Sequence, residues 1–519
     1  MPRDAHRRSI TTEVSEVLSR VARPVALVLG GMGVFMALCG VLGLLFELGG
    51  FTRPLDEGAA MPLLLSALVT VSCAGVGSQL ARRAPEHRNL SRRDATLAVA
   101  MIWLGAGLFG GLPFILGAGL SIPDAMFEAL SGFTTTGATI LGDIEGTLSR
   151  PLLLWRSIIQ WLGGMGIVVL FVAVFPNVGV GGKHMFKSEV PGPTAEGLQP
   201  RITQTSLTLW GLYTAFTVMQ VIILACLGAL IPPEEGVARM TLFEAVCHSL
   251  TTMSTGGFST QNASIAAFNS SLIESVITVF MLIAGVNFGL YFGALRAGSL
   301  KGFLRSDEFK VYIGLVMVAT CLLTLGILEA HGHNPVEAFR YASFMVATTI
   351  TSTGFGTDDY MAYPAPALTI VLLLMLVGGM SGSTAGGIKV SRFVLLTRTT
   401  VTQIRKTMRP SVVQVVQMSG RAVPQPVLTE VAVFFFVYMS FLGMGTFAIS
   451  GIEGVSVPTA FGAMLTSLSN MGPGPFYEGV DNFASYSDLS KVLFSAAMVL
   501  GRLEFFTLLA LLLPDFWRR

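Results

Sequence analysis

Ten long runs of apolar residues dominate the chain, and each has about the length of a membrane-spanning helix. A helix needs about 20 apolar residues to cross the hydrocarbon core of a bilayer. Only 12% of the 519 residues are charged, whereas soluble domains carry roughly 25%. The chain is therefore predicted to be an all-α integral membrane protein. The predicted spans are residues 24–48, 62–80, 96–118, 152–175, 206–231, 272–295, 311–328, 368–390, 427–450 and 489–513.

The basic residues are concentrated in alternate loops between these spans. The inner segments, counted with the N-terminus in the cytoplasm, hold 26 of the 33 Lys and Arg residues. Short loops rich in Lys and Arg stay on the cytoplasmic side of a membrane. The charge distribution therefore predicts an even number of spans with both termini in the cytoplasm. The inner segments are residues 1–23, 82–93, 176–203, 296–310, 389–421 and 518–519.

Composition argues against several classes of function. The net charge of +2 gives no reason to expect nucleic-acid binding. The five cysteines are single and scattered, so they indicate neither a disulfide framework nor a C-x-x-C metal site. No phosphate-binding glycine loop followed by Lys-Ser/Thr occurs, and no soluble segment is long enough for a nucleotide-binding domain. No organic cofactor is predicted on this chain.

Four of the predicted outer loops contain an apolar stretch too short to cross the membrane, followed by a polar sequence with glycine. Irregular backbone at membrane depth is tolerated only where it is buried in protein or lines water. We therefore predict four reentrant pore helices whose loops converge on one central pore. The stretches are residues 127–139, 243–260, 337–357 and 459–475.

The order of span, half-helix, glycine loop and span occurs four times, which indicates an internal fourfold pseudo-repeat. The loop glycines Gly137, Gly257, Gly354 and Gly472 are separated by 120, 97 and 118 residues, a spacing that suits a two-span pore unit. The predicted domains are residues 1–94, an N-terminal segment with two leading spans; 95–203, pore repeat 1; 204–308, pore repeat 2; 309–421, pore repeat 3 with a glycine-rich loop; and 422–519, pore repeat 4.

The chemistry of the four loops suits a cation, because small and hydroxyl-bearing residues surround each glycine. A ring of backbone carbonyl groups can replace the hydration shell of K⁺. Glycine permits the backbone angles that such a ring requires, and the C-terminal ends of the half-helices carry partial negative charge. For one loop alone a packing motif or a turn is the better interpretation, but four corresponding copies favour a selectivity filter. The predicted filter residues are Thr135, Thr136, Gly137, Thr255, Gly256, Gly257, Ser352, Thr353, Gly354, Asn470, Met471 and Gly472.

The most distinctive stretches of the sequence are WLGGMGIVVL (161–170), GVNFGLYF (285–292), GGMSGSTAGGIKVSR (378–392), SNMGPGP (469–475) and LGRLEFFTLLALLLP (500–514). In these stretches the chain resembles the TrkH family, the pore-forming subunits of bacterial Trk potassium uptake systems within the Trk/Ktr/HKT superfamily. The resemblance covers the whole chain. It implies K⁺ uptake across the bacterial inner membrane by a homodimer, with a cytosolic TrkA-like nucleotide-binding subunit as the regulatory partner.

The resemblance assigns one filter glycine to each pore loop. In the second loop the pair Gly256 and Gly257 allows two registers, and the fourth loop departs from the symmetric pattern at Asn470 and Pro473. In related plant transporters a serine in the first loop accompanies Na⁺ permeation, so Gly137 is similar to the K⁺-type arrangement. A requirement of packing alone for a small residue at this position is the alternative.

A glycine-rich stretch interrupts the predicted span 368–390. Each interior glycine costs a helix about 1 kcal/mol relative to alanine, so residues 378–387 are predicted to break the helix, which Lys389 and Arg392 restart. The stretch resembles the gating loop of the family, which lies in the pore below the filter. A close crossing of helices at small residues is the alternative. The predicted gating residues are Gly378, Gly379, Ser381, Gly382, Ser383, Gly386, Gly387 and Arg502.

Arg502 lies near the middle of the last predicted span, where a charge costs at least about 2.5 kcal/mol. By resemblance its side chain points into the pore near the gating loop and opposes the passage of cations. A static ion pair with Glu504 or a neighbouring helix is the alternative. The pair with Glu504 is the weaker option, since residues two apart on a helix face different directions.

Two other functions compete with a pore. A proton- or sodium-coupled symporter with broader K⁺/Na⁺ selectivity would place Asp, Glu or His within its spans, where apart from Glu504 almost none occur. A membrane enzyme would need clustered catalytic side chains, and the close pair His331 and His333 lies in an outer loop.

The outer loops also carry acidic residues that either concentrate cations at the pore mouth or are simply solvated. These are Asp143, Glu145, Asp358, Asp359, Glu478 and Asp481.

Overall fold

The computed structural model describes residues 2–48, 54–82, 91–166, 202–232, 235–409, 414–472, 474–476 and 482–517. This part of the chain is mostly helical, with one short hairpin of strands. Six of its helices are long and apolar enough to cross a membrane, and a seventh span results if one bent helix pair is counted as a unit. The predicted class, an all-α membrane protein, is confirmed, whereas the number of ten spans stays a prediction.

The helices follow one another as a leading pair and four units. The leading pair is α1 (Pro2–Leu48) and α2 (Ala60–Arg82), with a 3₁₀ turn at Pro54–Asp56. Unit 1 contains α3 (Arg92–Ala118), α4 (Ile122–Phe133), α5 (Ile144–Thr147) and α6 (Arg150–Gly164). Unit 2 contains α7 (Ile202–Leu230), α8 (Leu242–Met253), a 3₁₀ turn at Ser264–Phe268, α9 (Ser271–Ala284), α10 (Phe288–Ala297) and α11 (Lys301–Arg305).

The second half of the chain contains the other two units and the hairpin. Unit 3 contains α12 (Asp307–Ile327), α13 (Pro335–Ile350), a 3₁₀ turn at Tyr360–Ala362, α14 (Ala365–Leu376) and α15 (Val390–Met408). The antiparallel strands β1 (Gln417–Met418) and β2 (Arg421–Ala422) follow α15. Unit 4 contains α16 (Gln425–Glu453), α17 (Val457–Ser469), α18 (Asp488–Arg502), α19 (Phe506–Leu512) and α20 (Pro514–Trp517).

Small residues let α1 pack closely against α2 and against α6 of unit 1. A Cβ on Gly40 of α1 would lie 2.8 Å from the side chain of Leu64 in α2. A Cβ on Gly43 would lie 2.9 Å from Pro151 in α6. Small residues are the usual means by which helices approach each other closely in a bilayer, so these glycines explain how α1 fits against two neighbours.

In each unit a short helix directly follows the first long helix, and we call this short helix the pore helix: α4, α8, α13 and α17. These helices have 12, 12, 16 and 13 residues, so they are about 18 to 24 Å long and too short for a hydrocarbon core of about 30 Å. A side chain accepts a hydrogen bond from a first-turn amide at the start of each pore helix and so fixes where the helix begins. The capping residues are Ser121, Thr241, Asn334 and Ser456.

In units 2, 3 and 4 the long element that follows the pore helix is interrupted. In unit 3 the break between α14 and α15 agrees with the predicted break at residues 378–387. The predicted spans 272–295 and 489–513 were wrong as continuous helices, because α9 and α10 meet at an angle of 87° and α18 ends at Arg502. In unit 1, α6 ends at Gly164, and the predicted span 152–175 continues beyond the described residues.

Close contact with the pore helices explains the position of these breaks. A Cβ on Gly163 would overlap the carbonyl oxygen of Phe133, at the end of α4, and a Cβ on Gly501 would overlap that of Leu468 in α17. A Cβ on Gly285 would lie 2.7 Å from Cγ2 of Thr351, the residue after α13. Each interruption thus lies directly against the C-terminal end of a pore helix.

Candidate ion-permeation site

Each pore helix is followed, one or two residues after its end, by a residue with a left-handed backbone. The φ angles are 56° at Thr135, 55° at Thr255, 54° at Ser352 and 52° at Asn470. Few residues other than glycine adopt positive φ, so four such residues at the same position indicate one shared turn. This turn starts all four predicted filter loops.

A second positive φ angle in each of the first three loops favours one of the two registers of the second loop. Gly137 and Gly354 have φ angles of 81° and 84°, and Gly257 has 74°. Gly256 has no positive φ. By backbone conformation Gly257 is therefore the counterpart of Gly137 and Gly354, and Gly256 corresponds to the middle residues Thr136 and Thr353.

The first three loops also share their hydrogen bonds to the pore helices. The amides of Thr136 and Gly137 donate to the carbonyl oxygen of Ser131, at 2.9 and 3.5 Å. The amides of the middle and glycine residues of the second loop donate to Thr251, and those of the third loop to Thr348. A carbonyl group near the end of each of these pore helices thus accepts hydrogen bonds from the loop that follows it. The conformation of each loop is therefore determined by the local sequence.

The loops contact one another at their glycines. A Cβ on Gly137 would overlap the carbonyl oxygen of Gly256, and a Cβ on Gly257 would overlap that of Thr353. A Cβ on Gly472 would lie 2.9 Å from the carbonyl oxygen of Gly137. The first loop therefore lies beside the second and the fourth, and the second lies beside the third. Any side chain at these glycines would push carbonyl groups of neighbouring loops apart.

The fourth loop replaces part of this backbone pattern with a side chain. Nδ2 of Asn470 donates to Oγ1 of Thr136 at 3.0 Å and to the carbonyl oxygen of Met498 at 2.9 Å. Gly472 lacks the positive φ of the other three glycines. The departure predicted at Asn470 is thus a specific link from the fourth loop to the first, whereas Pro473 lies outside the described residues.

A buried ion pair supports the first two loops from behind, and the sequence analysis missed it. Nε of Arg156 lies 2.6 Å from Oε1 of Glu128, and both side chains are buried. Nη1 of Arg156 donates to the carbonyl oxygen of Ser259 at 3.0 Å, and the guanidinium lies 3.4 Å from the ring centroid of Phe258. Glu128 also accepts from Thr139. The pair therefore joins the segments that follow both loops.

Other carboxylates inside the bundle are also paired. Arg340 of the third pore helix forms two hydrogen bonds of 2.6 Å with Glu274 of α9. Lys491 of α18 lies 2.6 Å from Asp124 of the first pore helix. The expectation of almost no acidic groups within the apolar runs was therefore wrong for Glu274. The sequence did contain a signal for the pair of Glu274 and Arg340, because each is a charged residue within an apolar stretch.

The outer-loop acids hold loops together. Asp143 accepts from Nδ2 of Asn262 at 2.8 Å, and this hydrogen bond lowers the pKa of the Asp143 carboxyl below its usual value. Asp358 accepts from Tyr363 at 2.9 Å and lies 3.1 Å from Nε2 of His331. Glu145 accepts from the amide of Asn262, and Asp359 accepts from that of Met361. Glu478 and Asp481 lie outside the described residues.

The segment 377–389, between α14 and α15, lies beneath the pore loops. The amide of Gly386 donates to Oγ of Ser352 at 2.6 Å, and a Cβ on Gly386 would overlap the carbonyl oxygen of Ser469. Oγ1 of Thr384 donates to the carbonyl oxygens of Met253 and Ala284, at 3.0 and 3.2 Å. The segment therefore contacts units 2 and 4 as well as its own third loop.

The other predicted gating residues shape this segment. The amide of Gly378 donates to Ile388 at 2.9 Å, which closes the two ends of the segment against each other. The carbonyl oxygen of Gly379 accepts from Val390, and that of Gly382 accepts from Phe288 of α10. Side chains would not fit at several positions, since a Cβ on Gly378 would overlap the carbonyl oxygen of Gly386. The remaining predicted residues are Ser381, whose amide donates to Glu308, Ser383, whose hydroxyl donates to Met380, and Gly387, which has a φ of 67°.

Arg502 joins the 377–389 segment to unit 1. Its Nη1 donates to the carbonyl oxygen of Thr384 at 2.9 Å, and its Nη2 donates to those of Gly163 and Gly164 at 2.8 Å each. Arg502 is the last residue of α18, and α19 begins at Phe506, so the predicted span 489–513 is interrupted just after Arg502. Glu504 pairs instead with Arg392, 2.6 Å away.

Comparisons with known proteins agree with this architecture. A model of the TrkH family, described as "Cation transport protein", matches residues 64–515. The chain is 39% identical over 440 residues to the Trk system potassium uptake protein TrkH of Salmonella typhimurium, covering 83% of this chain and 88% of that protein. It is 34% identical to the TrkH of Vibrio parahaemolyticus, covering 96% and 99%. The crystal structure of the potassium transporter TrkH from Vibrio parahaemolyticus superimposes with a TM-score of 0.83 at 32% identity, covering 96% of this chain and 99% of that one.

Proposed function

The chain belongs to the TrkH family of cation transport proteins, and we propose that it conducts K⁺ along a pathway lined by its four pore loops. The similar proteins of Salmonella and Vibrio are named as potassium uptake proteins, which supports K⁺ as the transported ion. Permeation forms and breaks no covalent bond, so no enzymatic activity is proposed. The pore repeats are assigned to residues 95–203, 204–308, 309–421 and 422–519, behind the leading segment 1–94.

The observation that carries this proposal is the contact between neighbouring pore loops at their glycines. Gly137 lies against Gly256, Gly257 against Thr353, and Gly472 against Gly137. These contacts crowd backbone carbonyl oxygens together, and a set of carbonyl oxygens is what replaces the hydration shell of K⁺ in a filter. The pore helices support the same ion, because their C-terminal ends meet the loops and carry partial negative charge.

The proposed filter uses three residues from each loop. In the first three loops the first and third residues have positive φ and the middle residue does not, so successive carbonyl groups point in different directions, which a uniform strand would not achieve. In the fourth loop the side-chain amide of Asn470 replaces part of this backbone pattern with hydrogen bonds to Thr136 and Met498. The assigned residues are Thr135, Thr136, Gly137, Thr255, Gly256, Gly257, Ser352, Thr353, Gly354, Asn470, Met471 and Gly472.

We assign the gate to the 377–389 segment together with Arg502. An ion that has passed the filter meets this segment directly beneath the loops, where Gly386 bonds to Ser352. The guanidinium of Arg502 adds a positive charge that repels the ion, and repulsion is strong where water is scarce. Opening therefore requires the hydrogen bonds of Arg502 and Thr384 to break, so that the segment leaves the pathway.

The cellular setting follows from the charge of the loops and from the relatives. Loops rich in Lys and Arg support a bacterial inner-membrane protein with both termini in the cytoplasm. The names of the relatives refer to a Trk system, which supports a multi-component assembly. We propose a homodimer of this chain with a cytosolic TrkA-like nucleotide-binding subunit, and opening of the 377–389 segment under control of that subunit.

Flux into proteoliposomes tests the proposed function. We expect uptake of K⁺ and Rb⁺, and less of Na⁺, down their own gradients with equal pH and equal Na⁺ on both sides. A competing coupled symporter would need a proton or sodium gradient. Among the described carboxylates, Glu128 and Glu274 are held by arginine, which disfavours them as proton carriers. Uptake that stops without a proton or sodium gradient contradicts passive permeation, and no K⁺ uptake under any gradient contradicts the function itself.

A further inference from the structure

A single buried carboxylate holds both ends of the gating segment. Glu308, the second residue of α12, is only 6% exposed. Its Oε1 accepts from the amide of Ser381 at 2.6 Å and from the amide of Ser391 at 3.2 Å. Ser381 lies near the start of the 377–389 segment and Ser391 lies just after its end. One oxygen atom therefore fixes the distance between the beginning and the end of the segment.

Glu308 also completes the N-terminus of α15. The first amides of a helix have no partner within the helix, and the residue before α15, Lys389, provides no side-chain cap. A carboxylate at this end is favoured by the helix dipole as well as by the hydrogen bond. The start of α15, and with it the end of the gating segment, is thus positioned by a residue from a different helix.

The neighbouring carboxylate, Asp307, connects Glu308 to the β-hairpin. Oδ2 of Asp307 accepts from Nη1 of Arg398 in α15 at 2.9 Å and from the amide of Ser419 at 2.8 Å. The amide of Asp307 in turn donates to Oγ of Ser419 at 3.1 Å. Ser419 is the turn of the hairpin and lies among exposed residues. Two consecutive residues therefore bind the hairpin on one side and the gating segment on the other.

We propose that Glu308 is a positioning residue for the gate, and that Asp307 connects it to the β-hairpin. Glu308 holds the 377–389 segment in the arrangement that obstructs the pathway, and a displacement of the hairpin moves the start of α12 and loosens both hydrogen bonds. This inference rests on the proposed function, because only a gated pathway gives these hydrogen bonds a role. Glu308 contacts amides of the gate and does not touch the transported ion.

The variant Glu308→Gln isolates the charge. Glutamine keeps the shape of the side chain and an acceptor oxygen, but hydrogen bonds from amides to a neutral oxygen are weaker than those to a carboxylate. Glu453→Gln is the matched control, because Glu453 also accepts from a serine amide on a following segment, Ser487 at 3.1 Å, far along the chain from the gate. Asp307→Asn, at a more exposed position, tests the second half of the proposal.

Thiol labelling measures the position of the segment independently of ion flux. In a variant without the five native cysteines, Ser383→Cys places a reporter in the gating segment, where the side chain is 8% exposed. Thr446→Cys, at a position 9% exposed in α16, reports general loosening of the bundle. A membrane-impermeant maleimide is applied to inside-out vesicles, and labelling rates are compared with K⁺ flux per folded molecule.

We expect Glu308→Gln to raise labelling at position 383 by roughly fivefold, with a parallel rise in flux and no change at position 446. Asp307→Asn should produce a smaller rise, and Glu453→Gln none. Wild-type labelling at position 383 in Glu308→Gln, or equal rises at both reporters, overturns the proposal. If Glu308→Gln does not fold, Asp307→Asn decides, and wild-type labelling of that variant contradicts the inference. Absence of K⁺ flux in the wild type would refute the proposed function alone, since labelling at position 383 still reports whether Glu308 holds the 377–389 segment.

Discussion

Arg502 donates from Nη1 to the carbonyl oxygen of Thr384, 2.9 Å away, and so joins the end of α18 to the 377–389 segment. Its Nη2 binds Gly163 and Gly164 in unit 1, while Oγ1 of Thr384 binds Met253 and Ala284 in unit 2. The two residues together connect all four units beneath the pore loops. These are the hydrogen bonds that the proposed opening of the pathway would break.

Arg502→Ala should raise K⁺ flux per folded molecule by roughly tenfold or more and weaken its dependence on the cytosolic partner. It removes three hydrogen bonds from a charged donor, each of which contributes about 1.5–3 kcal/mol, and a positive charge from the pathway. Arg502→Lys should give an intermediate flux, because an ammonium keeps the charge but lacks the planar fork. Vesicle flux with and without partner is the measurement. Normal folding with wild-type flux and full partner dependence would refute the gate assignment.

Gly137→Ser should reduce the preference for K⁺ over Na⁺ more than it reduces the amount of folded protein. The new Cβ would meet the carbonyl oxygen of Gly256 at a residue with a φ of 81°, so the neighbouring loop must shift. Gly142→Ser is the control, because a Cβ there would meet only Nδ2 of Asn482, 3.8 Å away. Relative Rb⁺ and Na⁺ uptake is measured for both. An unchanged ratio in well-folded Gly137→Ser contradicts the filter assignment.

Asn470→Ala and Thr136→Val should show coupled effects on stability. The hydrogen bond of 3.0 Å between their side chains joins the fourth and first loops, and a buried hydrogen bond contributes about 0.5–1.5 kcal/mol. Thermal unfolding in detergent of both single variants and the double variant gives the coupling energy. If the stability losses of the two single variants simply add in the double variant, the side-chain amide of Asn470 does not support the first loop.

Glu128→Gln should lower the free energy of unfolding by about 3–5 kcal/mol, because it leaves the charge of Arg156 buried without its partner. Asp124→Asn is the comparison, since the Asp124 side chain is 22% exposed in its pair with Lys491 and such pairs contribute about 1 kcal/mol or less. Denaturation of purified protein is followed by fluorescence-detected size exclusion. Equal losses in the two variants would contradict the structural weight given to the Glu128–Arg156 pair.

Hydropathy and glycine spacing together predicted most of the architecture. The leading spans, the four pore helices and the break in unit 3 follow from local sequence, since apolar length, capping residues and a cluster of five glycines between Gly378 and Gly387 act within a few residues. The single glycines Gly285 and Gly501 give no comparable signal. Their helices break where a pore helix packs against them, that of unit 3 at Gly285 and that of unit 4 at Gly501, which is a property of the assembled bundle.

The contacts of the site were less predictable than its residues. The loop residues and Arg502 stand out in the sequence by composition, but their partners lie far away along the chain. Arg156 binds Glu128, 28 residues earlier, and Glu308 binds the amide of Ser381, 73 residues later. Backbone amides carry no signature in the sequence, so the hydrogen bonds from the amides of Ser381 and Ser391 to Glu308 became visible only in the folded structure.

The position of a heavy K⁺ substitute in crystals tests the central claim most directly. Rb⁺ scatters anomalously and is expected to be conducted as K⁺ is. We predict anomalous density enclosed by the loops of Gly137, Gly257, Gly354 and Gly472, and its loss in Gly137→Ser crystals. Anomalous density bound to carboxylates elsewhere in the bundle, with none between the four loops, would contradict a carbonyl-lined filter at this site.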